Sequence, residues 1–401
     1  MNRSARVLML ALILFSIFLF AAACATKHHS DSGKDDDADD DQDDDFTPVD
    51  DDSDDDTDHP LIEGWNAVGD CGRDTIPAAS VDSQGHPWIA YATADGDQVN
   101  VAYHDGTNWL VSTIDGTFDS VGVERIAMIM DQGDNPHVLF RNNTSLYYAV
   151  YSGKGWDVES LTPGSVRGYD ISFSNNTPLI VYYSNGGKSL TYAAKPASSW
   201  KTFEMDSAAS DMSGACTIGA DLSDYPVIAY KWGDKIKIIT WPGGVVQKET
   251  FLTDGTVGGV DHQYDQPQIG TDNTGGLWAC YYSYAHDTND NTYRIGVDCQ
   301  VRTTGDWQTT AGTPFITEYS EWIRYFPAWM QRTQDSQYLA YSVNGDIRFA
   351  SRSGADWGII DPHKSFIGDT NTMGISATDD GTVYIVLNDK GTLSLMMKSP
   401  E

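Results

Sequence analysis

The chain has 401 residues, 40% of them hydrophobic, and a formal net charge of −33. A field of that sign repels phosphate backbones, and no basic stripe offsets it locally, so nucleic acid is excluded as a partner. Length leaves the domain count open, because closed β architectures often exceed an average domain as one unit.

The N-terminus carries an export pattern: Arg3 and Arg6 precede an apolar run from Val7 to Ala23 broken by Ser16. That run sits at the lower edge of a spanning length, and the small residues at its end suit cleavage. Phe20-Ala21-Ala22-Ala23-Cys24 resembles a bacterial lipobox, with Ala21 where leucine is usual. The resemblance implies a signal peptide over 1–23 and a lipidated Cys24, whose palmitate-type acyl chains would be the membrane partner. By the same resemblance, Ala25 points to the outer membrane or cell surface of a bacterial envelope.

Residues 24–60 follow as an Asp-rich linker. Between Asp31 and Asp58 stand 17 of the 58 acidic residues, with Lys34 as the one base among them. Mutual repulsion and the scarcity of apolar residues predict a disordered, extended spacer with a reach of roughly 120 Å. A calcium-condensing polyanion is the alternative reading of the same run.

From residue 61 to 401 one unit recurs. Its second strand is marked by Pro87-Trp88-Ile89-Ala90-Tyr91, Pro136-His137-Val138-Leu139-Phe140, Pro178-Leu179-Ile180-Val181-Tyr182 and Pro226-Val227-Ile228-Ala229-Tyr230. Leu277–Tyr281, Gln337–Tyr341 and Val383–Leu387 complete seven copies, spaced 49, 42, 48, 51, 60 and 46 residues apart. That period suits a four-stranded propeller blade. Proline opens four of the copies, where a strand's first residue need not donate to the ladder. Trp109, Trp156, Trp200, Trp307 and Trp357 mark fourth strands, with Gly243-Gly244-Val245 in that place in the fourth unit. The seventh unit ends after its third strand, and Trp65 supplies a surplus strand before the first. The expected fold is therefore all-β: a seven-bladed β-propeller closed by an N-terminal strand.

The units resemble sialidase-like propellers and, more loosely, the fucose-binding propeller lectins. Gly-x-x-Trp is kept at Gly106–Trp109, Gly153–Trp156 and Gly354–Trp357, but the full Asp-box spacing is absent. The resemblance implies the fold and does not carry an activity. Recurrence in successive blades reads the tryptophans as structural pegs.

Four cysteines remain after Cys24. Cys280 and Cys299 lie symmetrically about the polar stretch Asp287-Thr288-Asn289-Asp290-Asn291, so a hairpin would set them opposite each other for a disulfide. Cys71 and Cys216 are left over, and the sequence leaves open whether they bridge.

Ligands of propellers usually sit at the channel mouth, where the links before each inner strand converge. Arg73, Arg125, Arg167 and Arg324 fall in those links, with Tyr264 and, in the longest insertion, Trp322 and Tyr325. Guanidinium groups there suit an acidic ligand, or else pair with neighbouring carboxylates such as Glu124. The aromatics of the fifth unit suit a sugar face, or else plug a long loop. Asp287, Asn289 and Asn291 have the opening spacing of a calcium loop but lack its glycine and final glutamate, so a hairpin turn is expected, with no metal and no cofactor. The reading is a monomeric, non-catalytic, envelope-anchored module that binds a glycan or a protein. The alternatives are a sialidase-like hydrolase acting on acidic sugars and a structural propeller without a small ligand.

Overall fold

The computed structural model describes residues 47–48 and 64–399, apart from 73–74, 115–124, 143–144, 164–165, 209–213, 273, 290–291, 311–316, 320–328, 333–335, 344–345, 354–355 and 361–370. Cys24 and the signal segment lie outside these residues. Among them the strands form seven antiparallel sheets and no α-helix. The second strands start at the residue the sequence repeat sets, or one before it in the third and sixth: Pro87–Ala92, Pro136–Arg141, Thr177–Ser184, Pro226–Trp232, Leu277–Asp287, Ser336–Val343 and Val383–Asp389. Each lies between the first and third strands of its sheet. The fold is therefore all-β, built largely from four-stranded sheets of the β-propeller type.

Gly64–Asp70 pairs with Thr392–Lys398, Trp65 opposite Met396, and completes the sheet whose other strands are Asn371–Ala377 and Val383–Asp389. The surplus strand thus fills the place the last unit lacks. First strands pack in chain order, each on the next, and Asn371–Ala377 packs on Ala78–Val81. Gly374 permits that last contact, since a Cβ there would lie 2.9 Å from the Pro77 carbonyl. The apolar faces meet between sheets: Ile89 and Tyr91 pack with Val386, Leu393 and Leu395, and Ala90 and Val101 pack with Val138 and Phe140. Burial of such faces is the main stabilising term.

One expectation needs correction. Thr47–Pro48, inside the segment read as an unstructured spacer, forms a short strand on the outer edge of the first sheet, opposite Val111 and Leu110. The edge strand Trp109–Ile114 has open backbone groups that an extended segment can satisfy.

The turns between first and second strands share one chemistry. Asp82, Asp131, Asp221 and Asp272 each accept backbone N–H bonds from the second and fourth residues beyond, at 2.7–2.9 Å. The other oxygen reaches the sixth residue in three of them: Trp88 Nε1 at 3.3 Å, His137 Nε2 at 3.3 Å and Trp278 Nε1 at 2.8 Å. Neighbouring turns are also tied, as Ser83 Oγ donates to Asp134 at 2.6 Å and Tyr384 OH to the Gly85 carbonyl at 3.0 Å.

The tryptophans act as pegs. Trp156 Nε1 donates to Ser112 Oγ at 2.9 Å, Trp200 Nε1 to Glu159 at 2.9 Å and Trp307 Nε1 to Glu249 at 3.2 Å, each crossing to the outer strand of the preceding sheet. Lys195 and Arg302 join the same carboxylates and lie over the rings of Trp200 and Trp307.

Candidate functional site

The opposite end of the sheets carries the links, and there the fifth sheet departs from the rest. Its strands Val260–Thr271, Leu277–Asp287 and Thr292–Arg302 run 11 or 12 residues, and Gly255–Val257 and Thr317–Tyr319 add to their extended part. The departure starts at a bulge between Asp265 and Gln268, where Gln266 takes a φ of 49° and Pro267 has no N–H to give. Beyond it the ladder continues through alternating aromatic and small residues to Asp287, forming an arm at the link end.

Strand alternation sorts the arm into two faces. On one, Tyr264, Ser283 and Gly296 share a rung, His262, Ala285 and Arg294 the next outward, and Tyr281 and Asp298 the next inward. This face turns to the fourth sheet, since Tyr281 meets Phe251 edge-on at 5.5 Å. The rings of His262 and Tyr264 lie nearly parallel, 6.2 Å apart and 15° inclined, and Tyr264 meets Tyr281 edge-on at 5.6 Å. On the other face His286 stacks on Tyr293 at 4.3 Å, so these rings are held by each other.

A buried clamp fixes the base of the arm. Lys231, 9% exposed, donates to both Asp254 oxygens at 3.1 and 2.9 Å and to the Tyr264 carbonyl, while the Tyr264 N–H donates to Asp254 at 2.9 Å. Burial raises the pKa of Asp298, against a hydrogen bond from Ser283, and raises that of Asp265, against the Gln266 N–H and Lys231. The phenols of Tyr264 and Tyr281 are also pushed up, first by burial and then by Asp298.

The inner strands surround a cavity of about 290 Å³, with Arg125, Asp170, Thr217 and Gln268 among its polar lining. Arg125 lies 3.6 Å from Asp170 of the next sheet. Asp170 also accepts from Thr217 Oγ1 at 2.8 Å and the Ile218 N–H at 3.1 Å, and burial raises its pKa against the pull of Arg125. Arg125 thus meets a carboxylate across the seam, with Glu124, weighed from the sequence, outside the described residues. Arg167 opens the inner strand of the third sheet and is exposed. Arg73, Arg324, Trp322 and Tyr325 lie outside the described residues. Of the sequence candidates, Tyr264 stands on the arm.

Cys280 and Cys299 form the expected disulfide as a directly opposed pair, with Cα atoms 4.1 Å apart, at the root of the arm. Cys71 and Cys216 are free and buried, and burial pushes the Cys71 thiol up to about 12. Asp287 pairs with Thr292 across the hairpin and accepts the Asn289 N–H at 2.9 Å, while residues 290–291 lie outside the described residues. Among the described residues no group of His, Cys, Asp and Glu could hold a metal ion.

Sequence reasoning missed Lys231, Asp254, Ser283 and Tyr281's place beside Asp298. One signal was available. The sixth residue of the repeat, counted from Pro136, Pro178, Pro226 and Val383, crosses to the next sheet: Arg141 to the Val166 carbonyl, Tyr183 to that of Lys231, Lys231 to that of Tyr264, and Asn388 to that of Thr75. A basic residue at that position, following an apolar strand, marks an inter-sheet donor.

No family model matches the chain, and no curated protein matches it. Solved structures do match in fold. An ulvan lyase, from a new family of polysaccharide lyase and bound to -[GlcA(1-4)Rha3S]-, aligns at a TM-score of 0.57 and 11% identity, over 84% of this chain and 97% of that one. The extracellular domain of a protein described as a hybrid two-component system from B. thetaiotaomicron aligns at 0.51 and 11% identity, over 84% of this chain and 40% of that one. Such likeness is one of fold, and that fold is of the propeller type.

Proposed function

We propose that this chain is a bacterial envelope lipoprotein, anchored through Cys24 and a largely acidic linker, whose seven-bladed propeller binds a glycan on the arm of its fifth sheet. The reading is of a monomer at the outer membrane or cell surface, and of binding without turnover. One observation carries it: the parallel rings of His262 and Tyr264 stand beside Ser283 and Asp298 on a partly solvent-facing sheet. Aromatic faces receive the C–H surface of a sugar ring, and a few fixed polar groups select its hydroxyls. The seven sheets, their cyclic packing and the closing strand Gly64–Asp70 support the ring. The ulvan lyase shows that a scaffold of this shape can hold a saccharide.

The test is a glycan array probed with the full detergent-solubilised chain, wild type and Tyr264→Ala. Selective retention that Tyr264→Ala abolishes, with no released product, is expected. Retention indifferent to Tyr264, or accumulation of shorter saccharides, would overturn the site or the non-catalytic reading respectively.

A further inference from the structure

We infer a second binding site, separate from the arm, at the turn end of the seam between the fourth and fifth sheets: it takes a small planar ring of the indole class, which donates an N–H to Asp221. The aspartate turns supply the ground. The second residue of the strand repeat is a ring in five of seven copies, Trp88, His137, Trp278, Tyr338 and Tyr384, and aliphatic in two, Leu179 and Val227. At Asp82, Asp131 and Asp272 that ring's nitrogen meets Oδ2 of the carboxylate. Asp221 builds the same turn, its Oδ1 taking the Ser223 and Tyr225 N–H at 2.8 and 2.9 Å, but six residues on stands Val227, which has no donor. Among the described residues no hydrogen bond reaches Asp221 Oδ2. Leu179 is a different case, since Phe173 stands where the aspartate would be and Tyr192 and Trp241 pack on its cluster. The fourth turn thus has the aspartate without the ring.

A cavity of about 360 Å³ lies at that place, lined by both Asp221 and Val227. That volume falls within the range of small-molecule sites, roughly 300–1,000 Å³. Its walls are Thr240, paired with Gln247, on the fourth sheet and the rung Thr271, Leu277 and Arg302 on the fifth. Val227, Thr271 and Leu277 are buried while Gln247 is exposed, so the cavity is closed at its base and opens to solvent at the turns. Two charged groups line it. Arg302 is bonded to Glu249 and lies over the Trp307 ring, which leaves Asp221 as the charged acceptor for a ligand. An N–H given to a carboxylate makes a charge-assisted bond, and Val227 and Leu277 offer a ring face an apolar base. Apolar surface also gathers at the mouth. Leu222, Tyr225, Val245 and Val246 are four of the six large hydrophobic residues exposed among the described residues, and Leu222 stands beside Gly275 of the lining. An exposed apolar patch of this kind marks an interaction site.

The experiment is calorimetric titration of the full detergent-solubilised chain, against a detergent blank, with indole and with 1-methylindole, which keeps the ring and loses the N–H. Indole is expected to bind about tenfold tighter, the weight of one charge-assisted hydrogen bond. Val227→Trp restores the ring that the other turns carry, and is expected to weaken indole binding by more than about tenfold and to raise the urea unfolding midpoint. Thr240→Leu narrows the cavity from the neighbouring strand without touching the turn, and is expected to weaken indole binding about tenfold, so the site is tested even where Val227→Trp fails to fold. Equal affinity for the two ligands, no binding of indole by wild type, or indole binding that Thr240→Leu leaves unchanged would overturn the site. The arm is tested separately by Tyr264→Ala, and none of these outcomes bears on it.

Discussion

The two ends of the sheets solve the burial of aspartate in opposite ways. At the turn end, burial alone would raise Asp131 and Asp272, but bonds from Asn135, Gly133 and His137, and from Trp278, Thr274 and Gly276, hold both below the ordinary carboxylate range. Toward the link end, burial holds Asp170 above it against Arg125, Thr217 and Ile218, and holds Asp265 and Asp298 above it against fewer opposing bonds. The first set is repeated from sheet to sheet, so it belongs to the architecture. The second set does not recur from sheet to sheet, so it belongs to particular sheets rather than to the repeat.

The largest effect on this contrast should come from the arm's clamp. Lys231→Met leaves Asp254 and the Tyr264 carbonyl without their shared donor in a site where the two side chains are 11% and 22% exposed. Breaking a buried pair from one side costs about 3–5 kcal/mol. Urea unfolding should show that loss, and Lys231→Arg should recover part of it. Next comes the root of the arm: Cys280→Ala with Cys299→Ala opens a loop of sequence separation 19 and should cost about 3 kcal/mol. An unchanged midpoint in either case would mean that the arm is not coupled to the cooperative unit.

Much of the ring was legible before any coordinates. Strand starts follow the prolines because a first residue need not donate, and the closing strand follows from Trp65 preceding a unit whose last copy lacks a fourth strand. The disulfide follows from symmetry about a polar turn. The clamp was not legible, because Lys231 reaches Asp254 and Tyr264, 23 and 33 residues away, only once two sheets are side by side. The turns at Asp82 and Asp131 were legible as turns, but not the bond from their aspartate to the sixth residue beyond. The sequence search followed tryptophan to the third-to-fourth-strand turns, where Asp105 does cap Thr107 and Asn108 at 2.8 Å. The chemistry that recurs most lies in the turn between first and second strands, where the ring partner is six residues from the aspartate.

Two smaller predictions sharpen the contrast. Asp272→Asn keeps an acceptor but removes the charge, at a cost of about 1–2 kcal/mol at neutral pH for charge-assisted bonds. A carboxylate depressed in the folded state stabilises fully above its unfolded pKa, near 3.9, and that contribution is lost as pH falls through the lower folded value. The Asp272→Asn variant should therefore differ from wild type at neutral pH and converge on it in acid. Asp298→Asn should do the reverse in sign: a raised carboxyl penalises the folded state above its folded pKa, so the variant gains on wild type as pH rises toward neutral. Coincident stability–pH curves for wild type and both variants would remove the distinction between the two ends.

The smallest expected effect tests the pegs. Trp200→Phe keeps a ring in the seam but loses the 2.9 Å bond to Glu159, whose side chain is 40% exposed and so still reaches water. The loss should be about 0.5–1 kcal/mol, read by urea unfolding, because a solvated acceptor regains a water partner. Trp200→Phe combined with Glu159→Ala should cost less than the sum of the two, since both remove the indole–carboxylate bond while Glu159→Ala also removes the Lys195 ion pair. Fully additive losses would mean that the indole and the carboxylate stabilise the seam separately, and the peg would then be packing alone.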